Sequence, residues 1–334
     1  MKEAQFYINL DNNKIKCTLC PHNCIVDLNK RGVCGVRKNI KGKLVSEIYG
    51  KLCSLNFDPI EKKPLYHFFP GKIILSLGSI GCNFKCKFCQ NNDISQSTID
   101  DFPYLKEYSS DNIINIAVNQ PNNTGIAFTY NEPTVWYEFM LEIAIKAKKN
   151  NLNTSMVTNG HINNKPLEEL IDYMDAFNVD LKAFTNDFYK KQTSGNLEPV
   201  KETLKFIVSK NKHLEITNLI IPTLNDDPKI FEQMIKWISK ELGENIVLHL
   251  SKYFPRYKMN IPETSISKLI EFYEIAKKEL NYVYLGNVAY HEGNNTICNK
   301  CRETVILRKG YYTQLTGIDI NGNCNNCGNK IAVT

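Results

Sequence analysis

The chain has 334 residues, 43% hydrophobic and 23% charged, and its 41 Lys and Arg against 35 Asp and Glu leave a formal net charge of +6. That length rules out a disulfide-stapled mini-domain, and the composition rules out a disordered chain. No run approaches the roughly 18 apolar residues of a membrane span, and so small a positive charge carries no nucleic-acid signal. The opening stretch MKEAQFYINLDNN has no apolar run of the signal-peptide kind. A cytoplasmic location with reduced thiols is therefore expected. Twelve cysteines in that setting read as metal or redox ligands before they read as disulfides.

The first element is a cysteine-rich segment over residues 1–70. Cys17, Cys20, Cys24 and Cys34 supply four thiolates at irregular spacing, suited to zinc or to an iron–sulfur cluster, and the spacing does not choose between them. His22 is a substitute ligand that four cysteines make unnecessary. Cys53 stands alone and reads as a small buried hydrophobe.

Residues 71–290 alternate short apolar runs with amphipathic helical patterns. The strand-like runs cover 73–77, 125–130, 154–158, 176–181, 213–222, 246–250 and 282–285. Between them, Ile230, Phe231, Met234, Ile235, Ile238 and Leu242 recur at helical spacing, as do apolar residues within 265–280. This order predicts an α/β fold, a partial or near-complete (β/α) barrel with a parallel sheet and outer helices. Polar residues recur at the C-terminal ends of the strands: Asn131 and Glu132, Thr158 and Asn159, Asp180 and Lys182, Glu215 and Thr217, His249 and Ser251, and Asn287. Barrel enzymes build their sites at that mouth.

Just past the first of these strands lies Cys82-x3-Cys86-x2-Cys89. Three thiolates fall within reach of one cluster, and no fourth follows. A [4Fe–4S] cluster so held keeps one iron open for a substrate or cofactor; a zinc site is the plainer alternative. Phe84 and Phe88 are placed to shield it from water. Residues 291–334 close the chain with Cys298-x2-Cys301 and Cys324-x2-Cys327 around a β-rich spacer. Four thiolates complete a tetrahedral shell, which predicts a structural, zinc-ribbon-like site. A rubredoxin-like iron site and a nucleic-acid-binding ribbon are the rivals; the sparse basic residues Arg302, Arg308 and Lys309 argue against the latter.

The run C-N-F-K-C-K-F-C-Q-N at 82–91 resembles the cluster loop of radical S-adenosylmethionine (SAM) enzymes, in particular the pyruvate formate-lyase activating enzyme group. The chain resembles still more closely the radical SAM member of the AmmeMemoRadiSam system. The matching stretches are C-x2-C-P-H-x-C near the start, D-P-I-E-K-K-P-L-Y-H-F-F-P-G at 58–71, T-Y-N-E-P-T at 129–134, H-L-S-K-Y-F-P at 249–255, Y-L-G-N-V at 284–288, and the C-terminal cysteine pairs.

The resemblance implies that Cys82, Cys86 and Cys89 hold a [4Fe–4S] cluster whose open iron is chelated by SAM. Reductive cleavage would then yield methionine and a 5′-deoxyadenosyl radical that abstracts hydrogen. It also implies that Asn131 and Glu132 receive the methionine amino group, that Thr158 and Asn159 hold the ribose or methionine end, that Asp180 and Lys182 meet the carboxylate, and that His249 lies near the adenosine. Lys62 and Lys63 are either a solvated charge run or contacts for an anionic substrate. Flavodoxin or ferredoxin would suit as reductant, with a small molecule or a protein as substrate and no membrane partner. An activase acting on a backbone glycine of a partner enzyme is the first alternative. Many activases carry a cysteine-rich insert after the cluster loop, and none follows Cys89 here before Cys298. A non-catalytic zinc or nucleic-acid-binding protein is the distant one.

Overall fold

The computed structural model describes residues 1–288 and 293–334. At its centre is one eight-stranded sheet. Its strands are β1 (Ser54–Pro59), β2 (Ile73–Gly78), β3 (Asn123–Phe128), β4 (Asn153–Thr158), β5 (Ala176–Asp180), β6 (His213–Ile220), β7 (Val247–Lys252) and β8 (Tyr282–Gly286). They lie side by side in chain order. β1 runs antiparallel to β2, from Ser54↔Gly78 to Pro59↔Ile73, and every later neighbouring pair is parallel. All seven expected runs are strands of this sheet, with ends displaced by one or two residues.

Parallel strands need long crossovers. Helices α1 (Ser110–Val118), α2 (Tyr137–Lys149), α3 (Asn164–Leu170), α4 (Leu197–Ser209), α5 (Pro228–Leu242) and α6 (Ile266–Ala276) supply them. α5 illustrates the local logic. Asp227 accepts from the backbone N–H of Lys229 and Ile230, Pro228 opens the helix, and Phe231, Met234, Ile235, Ile238 and Leu242 form its buried stripe.

Among the described residues β1 and β8 do not pair, so the barrel is partial. Side chains span the gap. The segment after β1 lays Tyr66 against His249 and Tyr284, with ring centroids 4.7 and 4.8 Å apart, and His67 against Tyr282 at 4.5 Å.

Two three-stranded antiparallel sheets form the N-terminal segment: Lys2–Glu3 with Lys43–Ser46 and Arg37–Ile40, and Tyr7–Asn9 with Ile15–Cys17 and Ile25–Val26. Their buried residues Leu19, Val36, Leu44 and Ile48 are continuous with the barrel core. The C-terminal segment folds as Thr296–Ile297, Thr304–Lys309 and Tyr312–Leu315, the last two forming a hairpin within the β-rich spacer. It has a small core of its own, centred on Cys298, Val305, Ile306 and Cys324. The expected boundary at 290/291 lies outside the described residues. Among the described residues no helix is long and apolar enough to cross a membrane.

Candidate functional site

The loop after β2 is shaped by contacts with four other parts of the chain. Gly81 has φ of +81°, and a Cβ there would meet the Cys34 carbonyl oxygen at 2.7 Å, so this position requires glycine. The backbone N–H groups of Lys85 and Lys87 donate to the carbonyls of Thr193 and Gln192 at 2.7 and 3.0 Å. Those carbonyls belong to a π-helical turn, Tyr189–Thr193, a distortion that recurs at functional sites. Gln90 donates to the Phe254 carbonyl at 3.1 Å and Asn91 to the Tyr130 carbonyl at 2.7 Å. Phe84 and Phe88 are buried on either side of Cys86, as expected.

Cys82, Cys86 and Cys89 line one cavity of about 480 Å³ at the C-terminal ends of the parallel strands. Asn131, Glu132, Thr158, Asn159, Asp180 and Lys182 line it too, so the structure brings together nine of the ten residues expected at this site. The triplet sulfurs are not drawn together as for a single ion, since no three of them lie within 4.8 Å of one another. The Phe84 N–H donates to Cys82 Sγ at 3.3 Å. Burial pushes the Cys86 thiol up to about 12, partly countered by Lys182. An iron centre would favour the thiolates over that burial. Three spread thiols, an amide N–H aimed at sulfur and an adjoining cavity fit an iron–sulfur cluster with one free position.

The polar atoms around this cavity fall into two groups. Glu132 is 2% exposed. One of its carboxylate oxygens accepts from the Thr134 N–H and from the Thr134 and Thr158 hydroxyls, and the other from the Asn159 N–H at 2.8 Å. Burial raises its pKa, and these donors oppose the rise. Asn131 donates to the carbonyls of Ile80 and Gly81 and accepts from the Ser79 N–H. Asn159 donates to Asn83 Oδ1 at 2.8 Å. These residues tie the mouth loops to one another. Asp180 and Lys182 form the second group. Lys182 Nζ lies 2.9 Å from Asp180, whose side chain is one-third exposed. Burial works against the Lys182 ammonium, but Asp180 and Cys86 outweigh it and hold its pKa above the ordinary value.

His249 lies apart from the triplet cavity. It lines an adjoining cavity of about 300 Å³ with Tyr66 and Tyr311, joined to the first through Lys62, Thr217 and Ser251. Its Nε2 is 2.6 Å from Glu215. Glu215 sits early in β6, below the mouth, and also meets His213 and the N–H groups of Tyr66 and His67. The reason is register: His249 pairs with Thr217 and Tyr284 in mid-sheet, so its side chain meets the segment that fills the barrel gap. Lys63 is buried, paired with Asp58 at 2.7 Å and stacked over Tyr130 at 4.4 Å. Lys62 is half-exposed on the same Asp58. Tyr130, at φ of 70°, also donates to Asp58. Sequence reasoning missed its part, and the only signal was its place inside T-Y-N-E-P.

The other cysteines separate sharply. Among the described residues only Cys298, Cys301, Cys324 and Cys327 bring their sulfurs within 4.8 Å of one another. Cys298 and Cys327, like Cys301 and Cys324, stand 3.6 Å apart. That is the separation a tetrahedral ion with ~2.3 Å metal–sulfur bonds requires. Cys17, Cys20, Cys24 and Cys34 line one cavity but are more widely spread. Cys53 is half-buried, its thiol donating to the Ser79 carbonyl at 2.9 Å.

The Radical SAM superfamily model matches residues 77–238, which run from the end of β2 into α5. The uncharacterized protein MJ0808 of Methanocaldococcus jannaschii is 43% identical, over 100% of this chain and 99% of that protein. The 4-hydroxyphenylacetate decarboxylase activating enzyme of Clostridium scatologenes is 24% identical, over 64% of this chain and 69% of its own length. Among solved structures, Streptococcus suis SuiB bound to its precursor peptide SuiA aligns with a TM-score of 0.51 at 13% identity, over 69% of this chain and 52% of SuiB. That likeness is one of fold alone. With its parallel sheet and its cysteine loop at the sheet's C-terminal edge, the chain carries a domain of the Radical SAM superfamily over residues 77–238, a domain that implies a [4Fe–4S] cluster and SAM.

Proposed function

We propose that the chain is a radical initiator in which Cys82, Cys86 and Cys89 hold the [4Fe–4S] cluster and SAM occupies the cavity of about 480 Å³ beside them. The observation that carries this reading is the convergence of three spread thiols and the Asp180–Lys182 pair on that one cavity. With both cofactors bound, they supply reductive cleavage of SAM to methionine and a 5′-deoxyadenosyl radical. The chain's own part is to bind, orient and exclude water. Asp180 and Lys182 present one negative and one positive group to the zwitterionic methionine end. Glu132, Asn131, Thr158 and Asn159 act as positioning residues, fixing the loops around it. Phe84 and Phe88 keep the thiolate ligands dry.

The substrate then enters through the adjoining cavity, whose Lys62, Tyr66 and His249 suit a polar or anionic group. The shared motifs support membership of the AmmeMemoRadiSam radical SAM group, and the tight C-terminal sulfurs support structural zinc. A low-potential flavodoxin or ferredoxin is the fitting electron donor. The test is anaerobic purification followed by SAM and dithionite. Brown protein with about four iron per triplet site, releasing methionine and 5′-deoxyadenosine, is expected. A colourless, zinc-only preparation that leaves SAM intact overturns the reading.

A second reading, a glycyl-radical enzyme activase, is favoured by the activating-enzyme relative. Co-expression with candidate partner enzymes would then produce a glycine-centred EPR doublet. Its absence with active enzyme rejects this form of the function.

A further inference from the structure

We propose that Cys17, Cys20, Cys24 and Cys34 hold a second iron–sulfur cluster, fully ligated by protein, which passes single electrons to the cluster loop; the electron-passing part rests on the radical SAM reading above. The four thiols line one cavity with an apolar wall that includes Leu19, Val26 and Leu44. No three of their sulfurs come within 4.8 Å of one another, whereas the C-terminal four all do. A single zinc ion needs the tight arrangement. A cluster spreads its four thiolates over two or four irons, at most two on any one iron, and takes the wide one. The chain thus contains both arrangements, and the contrast between them is internal to one fold.

A second observation concerns a residue of the same cavity. Arg37 lines it and is 2% exposed. Its guanidinium is paired with Glu138 at 2.9 and 3.1 Å and donates to the Gln5 carbonyl at 2.6 Å. Its Nε–H is buried with no acceptor among the described residues. Buried donors are rarely left so. Burial works against the charged guanidinium, and Glu138 first, then Cys17 and Cys34, outweigh it. Glu138 already offsets the guanidinium's charge, and a sulfur cluster in this cavity would give the unmet N–H an acceptor. The Val33 N–H donates to Cys24 Sγ at 3.5 Å, the kind of bond that tunes a cluster's potential.

The cluster loop reaches this cavity through one residue. Asn83, next to Cys82, lines it. His22 Nε2 meets the Asn83 carbonyl at 2.7 Å, and Gly81 lies against the Cys34 carbonyl. One electron enters from a reduced flavodoxin or ferredoxin, is held by the N-terminal cluster, and moves to the oxidised cluster at Cys82, Cys86 and Cys89. No bond forms or breaks, and no proton moves.

The test uses the full chain with Cys82, Cys86 and Cys89 all changed to Ala, reconstituted anaerobically with iron and sulfide. About two to four iron and about one zinc per chain, with a reduced EPR signal that SAM does not alter, are expected. No iron and about two zinc overturn the proposal whatever the fate of the radical SAM reading. Adding Cys24→Ser should remove the iron and spare the zinc. Adding Cys298→Ser instead should spare the iron and remove the zinc, so loss of both metals in either variant registers misfolding and is resolved by the other. With the triplet intact, Cys24→Ser should keep a SAM-sensitive signal under dithionite and lose it under reduced flavodoxin. An undiminished signal under flavodoxin overturns the electron-passing part alone, and no SAM-sensitive signal in the parent chain overturns the radical SAM reading alone.

Discussion

The C-terminal cysteine cage and the triplet at the barrel mouth use the same ligand atom and the same Cys-x2-Cys step, yet the fold treats them in opposite ways. In the cage, two knuckles at the ends of a hairpin press four sulfurs within 4.8 Å of one another, around a small core separate from the barrel's. In the triplet, the loop is pinned from outside by backbone bonds to the Tyr189–Thr193 turn, the sulfurs stay apart, and one side opens on a cavity. A closed shell has no position for chemistry, while an incomplete one leaves iron accessible. Ligand identity is therefore a weaker guide to role than the number of thiolates the surrounding chain supplies and how far apart it holds them.

The largest effect that would break this contrast is at Cys86. Cys86→Ala should abolish reductive SAM cleavage and leave zinc at about one per chain, measured by 5′-deoxyadenosine release and metal analysis. Retained cleavage would remove the triplet from the reaction. Next is Cys301→Ser, which should release the C-terminal zinc. Amides of Thr304–Lys309 should then exchange at least ~10³-fold faster, because metal binding supplies most of such a unit's folding energy. Unchanged protection would mean that its small core suffices.

Glu132→Gln probes the clamp behind the mouth. It leaves at least one of four donors facing an amide nitrogen, for a cost of about 1–3 kcal/mol in urea unfolding, and loosened loops should slow SAM cleavage about tenfold. A stability loss without a rate change would make the clamp purely structural.

The junction of ribbon and barrel should be acid-sensitive. His67 joins the Ile331 carbonyl to the Tyr284 hydroxyl, at 2.7 and 2.6 Å, and burial pushes its pKa down to about 3. The unfolded chain takes up this proton below about pH 6.5 and the folded chain only near 3, so stability falls as pH drops through that window, by about 1.4 kcal/mol per unit. Burial works against the Glu215 carboxylate, but His213 and His249 outweigh it and hold its pKa below the ordinary range. It adds a further loss below about pH 4.5. His67→Gln should flatten the dependence between pH 6.5 and 4.5, read from urea midpoints; an unaltered slope would place the buried proton elsewhere. The smallest effect is expected at Lys62, half-exposed on Asp58. Lys62→Ala should change stability by less than about 0.5 kcal/mol, and a larger change would make it part of the mouth's framework.

Periodicity made the seven parallel strands readable because each is an apolar run covered on both faces. β1 escaped because Ser54–Pro59 alternates, ends in Asp-Pro and runs into a proline-rich stretch; what makes it a strand is its ladder with β2. The triplet was readable because its ligands are adjacent in the chain. Motif alone places His249 near the adenosine; its Nε2 meets Glu215, a partner brought beside it only by β6–β7 pairing. The motif places Glu132 at the methionine amino group, and packing adds that both its oxygens also accept from the chain.

By itself the sequence determined the three cysteine groups, the βα alternation and the short cysteine loop after β2, since all of these depend on residues close together in the chain. Only the tertiary structure decided which sulfurs are crowded and which are spread, which polar groups face a cavity and which bind each other, and that Arg37, whose Nε–H is unmet, lines the cavity of the N-terminal thiols. Separations and unmet hydrogen bonds depend on strands and loops far apart in the chain, and packing alone brings those together.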